Sequence, residues 1–437
     1  MLSSNILNTV LYRLWSLFAG AITLVLIPIG LSKVEQGIYF TFSSLIAIQS
    51  VFELGLNQII VQTVSHLTAH LKGEITCNTI QRYEVESKLH SLANAASVWY
   101  LASSILYSCA LFVAGAFIFL QSSNYESVSW EVQWILLILT TAINLYFSPK
   151  LSFVEGCGNI NQVARIRTIQ SIIGFTIMWI ALWNDFGLWC VVVVPLVAAI
   201  CTAYWVLRKS DEIRKLNEYK IVESCKFHWI KEIYPLQWRM GMSWIAGYLA
   251  FQLFVPVVFS NFGAIEAGKI GLTLAIFSSL STLGASWLSA CVPQFVRLIA
   301  MKKRVELDQL FLKMLGFSTL VVGILCVVSI FALYVLQEAG SNYANRFANP
   351  EVAILIAIAT LSNNIVFGMS IYIRSHRSEP LLPQSLIVSF LVVLDVYFLS
   401  GYGIKIIFIY YAMISTCVSL PWTIYLFKSY KTDEGFL

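Results

Sequence analysis

The chain has 437 residues, 58% of them hydrophobic and only 12% charged, with a mean hydropathy of +0.76 and a formal net charge of +5. That mix excludes an ordinary water-soluble domain, and nothing in it points to nucleic-acid binding. Apolar runs of the length that crosses a bilayer, about 20 residues, recur from end to end, so the reading is an all-α integral membrane protein filling the chain.

In chain order the spans fall at 8–31, 37–65, 92–120, 131–153, 161–183, 186–207, 235–260, 268–299, 311–336, 351–373, 382–400 and 404–427, about 12 transmembrane helices. The run from Leu7 to Leu31 is too long for a signal h-region and reads as a retained first span, with Met1 as the mature N-terminus. With that terminus in the cytoplasm, all but four of the 28 basic residues lie in cytoplasmic segments or adjoining span ends; the four are Lys33, Lys269, Arg346 and Lys405. The bias predicts a multi-pass protein with both termini cytoplasmic. The longest connection, 208–234, is basic and separates an N-lobe, 1–207, from a C-lobe, 235–437. A shift of 231 residues sets Glu35, Gly37, Ser50, Val61 and Lys72 on Glu266, Gly268, Ser281, Val292 and Lys303, which predicts two six-helix lobes as parallel pseudo-repeats.

Ionisable groups at bilayer depth are costly, roughly 2.5–3.5 kcal/mol on insertion scales, and so face a bundle interior or a cavity. Gln49, Glu53 and Asn57 are spaced i, i+4, i+8, which stacks them on one face of the second span. The stripe suits ion coupling through Glu53 and equally suits a packing network. Asp395, toward the outer end of the eleventh span, is the other intramembrane carboxylate, and Asn363, Asn364 and Asn144 are further cavity candidates. Arg13, Arg165, Arg167, Arg239 and Arg297 fall at or just inside the cytoplasmic span ends. Snorkelling accounts for any one of them. Together they could form a vestibule for an anionic headgroup, because guanidinium groups bind phosphate oxygens in a bidentate way.

Nine scattered cysteines without a C-x-x-C pair, and a His66/His70 pair with no third ligand in view, leave no metal site. There is no P-loop, no H-E-x-x-H and no sizeable external loop, so the chain reads as a non-enzyme without a cofactor; any coupling would be to H⁺ or Na⁺.

The segments G-I-Y-F at 37–40 and F-E-L-G-L at 52–56 resemble the polysaccharide-transporter branch of the multidrug/oligosaccharidyl-lipid/polysaccharide exporter superfamily. PLQWRMGMSWIAGYLAFQLFVPVVF at 235–259, E-A-G-K-I-G-L-T at 266–273 and P-Q-F at 293–295 are similar to the corresponding segment of bacterial O-antigen flippases. The resemblance implies a V-shaped exporter fold that moves an undecaprenyl-pyrophosphate-linked glycan between leaflets by alternating access. Its lipid tail would stay in the membrane lipid, and a polymerase and a chain-length regulator of the same pathway would be partners. It also implies that Glu53 holds the acidic position of the family motif and that the arginines meet the pyrophosphate. This chain has Glu where Asp is frequent, and its eighth span carries Gly284 at the aligned position, which confines ion coupling to one lobe. An ion-coupled multidrug exporter of the same superfamily is the alternative, and a membrane-embedded glycosyltransferase or polymerase is a more distant one.

Overall fold

The computed structural model describes residues 4–71, 79–121, 128–218, 229, 233–341, 343–376 and 380–433. Among them there is no strand. Eleven helical stretches are long and apolar enough to cross a membrane, and α1 (Ser4–Gly30) adds a shorter apolar stretch, Leu14–Gly30. The chain is therefore an all-helical, multi-pass membrane protein, as its hydropathy predicts.

The helices run past the apolar segments that reveal them. α2 (Lys33–Ile46) begins before the predicted start of the second span, because Ser32 caps the Glu35 amide while the Glu35 carboxylate accepts from the Ser32 amide at 2.8 Å. α3 (Gln49–Glu53) and α4 (Leu56–Leu71) complete that span. α5 (Thr79–Gln121) has 43 residues, about 65 Å at ~1.5 Å per residue, and so extends well outside the ~30 Å of hydrocarbon. α6 (Glu131–Gly156), α7 (Ile160–Trp183) and α8 (Trp189–Arg208) follow. The tight break predicted around Asn184 is a turn with Asp185 at φ +54° and Gly187 at φ +58°. α9 (Asp211–Glu218) occupies part of the basic connection. Then come α10 (Tyr234–Phe251), α11 (Phe254–Phe262), α12 (Ala264–Ala300), α13 (Arg304–Glu338), α14 (Pro350–Ser375), α15 (Leu382–Leu399), α16 (Ile404–Met413), a π-helical segment (Ile414–Ser419) and α17 (Leu420–Asp433).

The chain forms two compact units, Met1–Glu35 with Phe42–Ile245, and Gln36–Thr41 with Ala246–Leu437. In the first, α7 packs on α1 and α8, and α6 packs on α4, α5 and α8. Lipid is as apolar as leucine, so helices hold together by close packing rather than by exclusion from water. Small residues permit that approach. An added Cβ at Gly30 would lie 2.5 Å from the Leu182 carbonyl, and one at Gly156 would lie 2.7 Å from Val64 Cβ. Phe42, Phe119 and Trp134 fill one end, with Phe42 and Trp134 ring centroids 4.6 Å apart.

In the second unit α12 packs on α13 and α14, and α14 meets α16, the π segment and α17. Its core is aromatic, with Phe311 between Tyr372, at 4.7 Å, and Phe427, at 5.4 Å. Gly37, within the part of α2 that belongs to this unit, lies against Ala264 and Gly268 so closely that a Cβ there would be 1.8 Å from the Ala264 carbonyl oxygen.

Candidate functional site

The second span is not one continuous helix. Leu54 (φ +48°) and Gly55 (φ +68°) are both left-handed, which ends α3 at Glu53 and restarts the chain as α4. This corrects the expectation of a single helical face at i, i+4, i+8. The cause lies in the L-G pair and its setting. Glycine adopts positive φ without a steric penalty. Leu54, which does pay one, has its side chain packed on Gly241, where a Cβ would be 2.6 Å away from Leu54 Cδ2. Met240 and Trp244 close over Gly55, each 3.0 Å from where its Cβ would be. The E-L-G-L motif is thus a helix break, held by the W-R-M-G-M-S-W segment of α10.

The three polar residues meet despite the break. Gln49 Nε2 donates to Glu53 Oε1 at 2.8 Å, and Asn57 Nδ2 donates to Glu53 Oε2 at 3.1 Å. Asn57 Nδ2 also donates to Ser148 Oγ of α6, and its Oδ1 accepts from the Tyr100 hydroxyl of α5 at 2.8 Å. Tyr100 is fully buried, so its hydroxyl needs that acceptor. Two turns along α5, Tyr107 places its hydroxyl 3.3 Å from the Ile46 carbonyl, near the end of α2, and 3.2 Å from Thr141 Oγ1. Its ring meets Phe52 edge-on at 5.7 Å. Glu53 is therefore the carboxylate at the end of a half-helix, held by two amide donors and tied into α4, α5 and α6. Arg167 on α7 pairs with Glu155 at 3.9 Å.

The aligned position in the other unit is built from neutral groups. α12 runs unbroken through Gly284, and an added Cβ there would meet Val322 Cγ2 at 2.5 Å, Asn364 Oδ1 at 2.7 Å and Ser318 Oγ at 3.0 Å. Ser318 donates to the Gly284 carbonyl at 2.9 Å and accepts from Asn364 Nδ2 at 3.3 Å. Asn363, the neighbouring residue, points instead to Tyr411 and donates to its hydroxyl at 3.1 Å. Tyr411 precedes the π segment, Ile414–Ser419, by three residues. Gln384 crosses to the end of that segment, donating to the Ser419 carbonyl at 2.9 Å and to Thr423 Oγ1 at 2.7 Å. Asp395 is 5% exposed, and among the described residues neither of its carboxylate oxygens has a hydrogen-bond partner. π segments inside α-helices recur at functional sites.

The arginines divide. Arg165, Arg239 and Arg297 are exposed, and among the described residues none of them pairs with a carboxylate; Arg239 lies 5.7 Å from the centroid of its neighbour Trp238. Arg167 has the Glu155 contact. The side chain of Arg13 lies outside the described residues. Among the described residues no group of three or more His, Cys, Asp or Glu side chains is placed to hold a metal ion.

Sequence reasoning passed over Tyr100, Ser148 and Ser318, because no local pattern marks a hydroxyl that completes a network across helices. The break left only an ambiguous mark in the sequence, a glycine shortly after the carboxylate inside an apolar run.

No family model and no curated protein matches the sequence. Solved structures match the fold over nearly its whole length. A MATE-family multidrug resistance transporter of the MOP superfamily, in its inward-facing conformation, aligns at a TM-score of 0.54 and 14% identity over 94% of this chain and 99% of that one. The lipid II flippase MurJ, in an inward closed conformation, aligns at 0.56 and 15% over 96% and 87%. The eukaryotic MATE transporter AtDTX14 aligns at 0.56 and 13% over 97% and 94%. At such identities the likeness is one of fold: the chain has the helical fold of MOP-superfamily membrane transporters.

Proposed function

We propose that the protein is a transporter that flips an undecaprenyl-pyrophosphate-linked oligosaccharide from the cytoplasmic to the periplasmic leaflet of a bacterial inner membrane, for O-antigen or other surface polysaccharide synthesis. The observation that carries this reading is the set of exposed guanidinium groups, Arg165, Arg239 and Arg297, which are not neutralised by carboxylates among the described residues. Planar, permanently charged groups of this kind suit pyrophosphate and repel a cationic drug. The fold shared with a lipid II flippase is compatible with such a cargo.

Transport would proceed by alternating access, with Arg13 and Arg167 joining the other three arginines at the headgroup, and Gln49, Asn57 and Asn363 meeting sugar hydroxyls. Glu53 and Asp395 are the groups through which H⁺ or Na⁺ would couple. Polymerase and chain-length regulator would act on the product. The second reading, an ion-coupled multidrug exporter, draws on the same two carboxylates and on the fold shared with MATE transporters.

Deletion of the gene separates the two. A flippase predicts lost surface polymer with lipid-linked precursor trapped on the cytoplasmic face. Normal polymer combined with new sensitivity to cationic dyes would reject the flippase and favour the exporter.

A further inference from the structure

A cavity of about 280 Å³ opens in the first unit between α4, α5, α6, α8 and α9, at the helix ends that carry Arg208 and Lys209. At ~30 Å³ per water molecule this is room for about nine waters, enough for a phosphate and the glycerol attached to it. Among the described residues two cations line it, Lys150 and Arg214, and no carboxylate does.

Lys150 follows Pro149 late in the fourth span. Its ammonium lies over the Tyr146 and Phe147 rings, 4.4 and 4.8 Å from their centroids, and it reaches the Tyr146 hydroxyl only at 3.4 Å. Among the described residues no carboxylate pairs with it. Three acidic groups on α6 and α9 have partners of their own. Glu212 accepts from Asn159 and, at 3.4 Å, from Ser210. Asp211 faces Arg214 at 3.7 Å in a pair so exposed, 73% and 65% respectively, that it adds little and leaves Arg214 free to turn. Glu155 faces Arg167. An ammonium near a membrane surface with no counter-charge is a site for an anion.

The remaining lining says which anion. Asn94, Ser97 and Ser210 supply hydrogen-bonding groups, while Ile60, Leu92, Phe153 and Val206 supply apolar wall. A soluble anion would gain nothing from that wall, whereas a lipid presents an ionised phosphate next to hydrocarbon. α9 fits an interfacial position, with Ile213 packed into the Phe147, Leu151, Val154 and Trp205 cluster and Arg214 at the cavity. Basic pockets between membrane helices are a recurrent way to hold anionic headgroups.

We propose that this cavity is a binding site for the phosphate headgroup of an anionic membrane phospholipid, with Lys150 as its principal contact and Arg214 as a secondary one. The lipid bridges α5, α6 and α9. The site is separate from the arginines assigned above to the cargo, and it stands or falls independently of that assignment.

The test is native mass spectrometry of the full-length protein in detergent, titrated with phosphatidylglycerol and, separately, with phosphatidylcholine of the same acyl chains. Preferential retention of phosphatidylglycerol is expected. Lys150→Gln should weaken it about tenfold, the loss of one charge-assisted phosphate contact. Lys150→Arg should retain it, and Lys313→Gln, on α13, should change nothing. Equal retention of both lipids, or wild-type retention by a folded Lys150→Gln, overturns the proposal. Displacement of the lipid by millimolar inorganic phosphate would make this a soluble-phosphate site and overturn the lipid assignment. Should Lys150→Gln fail to fold, Ser97→Leu, which fills the cavity and leaves both charges, decides: undiminished lipid retention by that variant refutes the site.

Discussion

The bond between Tyr100 and Asn57 gives the sharpest test of the network around Glu53. Tyr100→Phe removes one donor, 2.8 Å from Asn57 Oδ1, and leaves a fully buried ring in place. Polar contacts within membrane proteins average about 0.6 kcal/mol in double-mutant cycles and reach about 1.7; a short bond to a fully buried hydroxyl belongs in the upper half, so about 1 kcal/mol is expected. Asn57→Leu also removes the bonds to Glu53 and Ser148, one of them to an acidic group, and should cost about 3 kcal/mol. In the Asn57→Leu background the Tyr100 hydroxyl is already an orphan in an apolar setting, so adding Tyr100→Phe should cost nothing or restore a little stability. The double variant should therefore fall short of additivity by about 1 kcal/mol, read from SDS-driven unfolding in micelles. Additivity within about 0.3–0.5 kcal/mol would mean that the two side chains do not share a network, and the site as described would be wrong.

Glu53→Gln keeps the size and one of the two acceptors but sets an amide N–H against the Gln49 or Asn57 donor. A modest stability loss of about 1 kcal/mol is expected, with export abolished; full export by this variant would remove Glu53 as a coupling group. Gly55→Ala must hold a Cβ at φ +68°, which costs about 1–2 kcal/mol, and must displace the Trp244 indole as well, so a clear drop in melting temperature is expected, whereas no change would contradict the break. Arg239→Ala with Arg297→Ala should lower export more than the paired Lys variants, and undiminished export in the double Ala variant would reject their role with the headgroup.

Much of this fold can be read directly from hydropathy, because a bilayer demands long apolar helices and tolerates little else. All twelve predicted spans coincide with helices, including the pair divided at Asn184. What hydropathy cannot register is length beyond the hydrocarbon, as in α5, since polar helix ends look like loops to any apolar count. The meeting of Gln49, Glu53 and Asn57 was readable from spacing, yet the geometry behind it was not, for their contacts survive a helix break that spacing ignores. Glycine is common in membrane helices, so Gly55 alone does not distinguish a break from close packing. The choice between Asn363 and Asn364 was likewise out of reach. Adjacent residues on a helix differ by about 100° in facing, and only tertiary packing decides that Asn364 turns to Ser318 while Asn363 turns to Tyr411.

The contrast between Glu53 and Gly284 makes a further demand on the packing. In one unit the chain breaks after its carboxylate and surrounds it with donors; in the other, α12 stays continuous and the space a side chain would fill is taken by Val322, Asn364 and Ser318. Val322 is fully buried and β-branched on a helix, with its rotamer fixed, so it cannot yield cheaply. Gly284→Ala should therefore destabilise by about 1–3 kcal/mol, the usual cost of overpacking. Gly316, one helix away, has no heavy atom of the described residues within 4 Å of its would-be Cβ. There alanine removes only the conformational freedom of glycine and should stabilise by roughly 0.5–1 kcal/mol. Opposite signs at the two glycines, measured by unfolding in the same detergent, are what this packing requires. A neutral Gly284→Ala would mean that the neutral polar pair is loosely held and that the second unit has room for a side chain, and with it a carboxylate, where the first has Glu53.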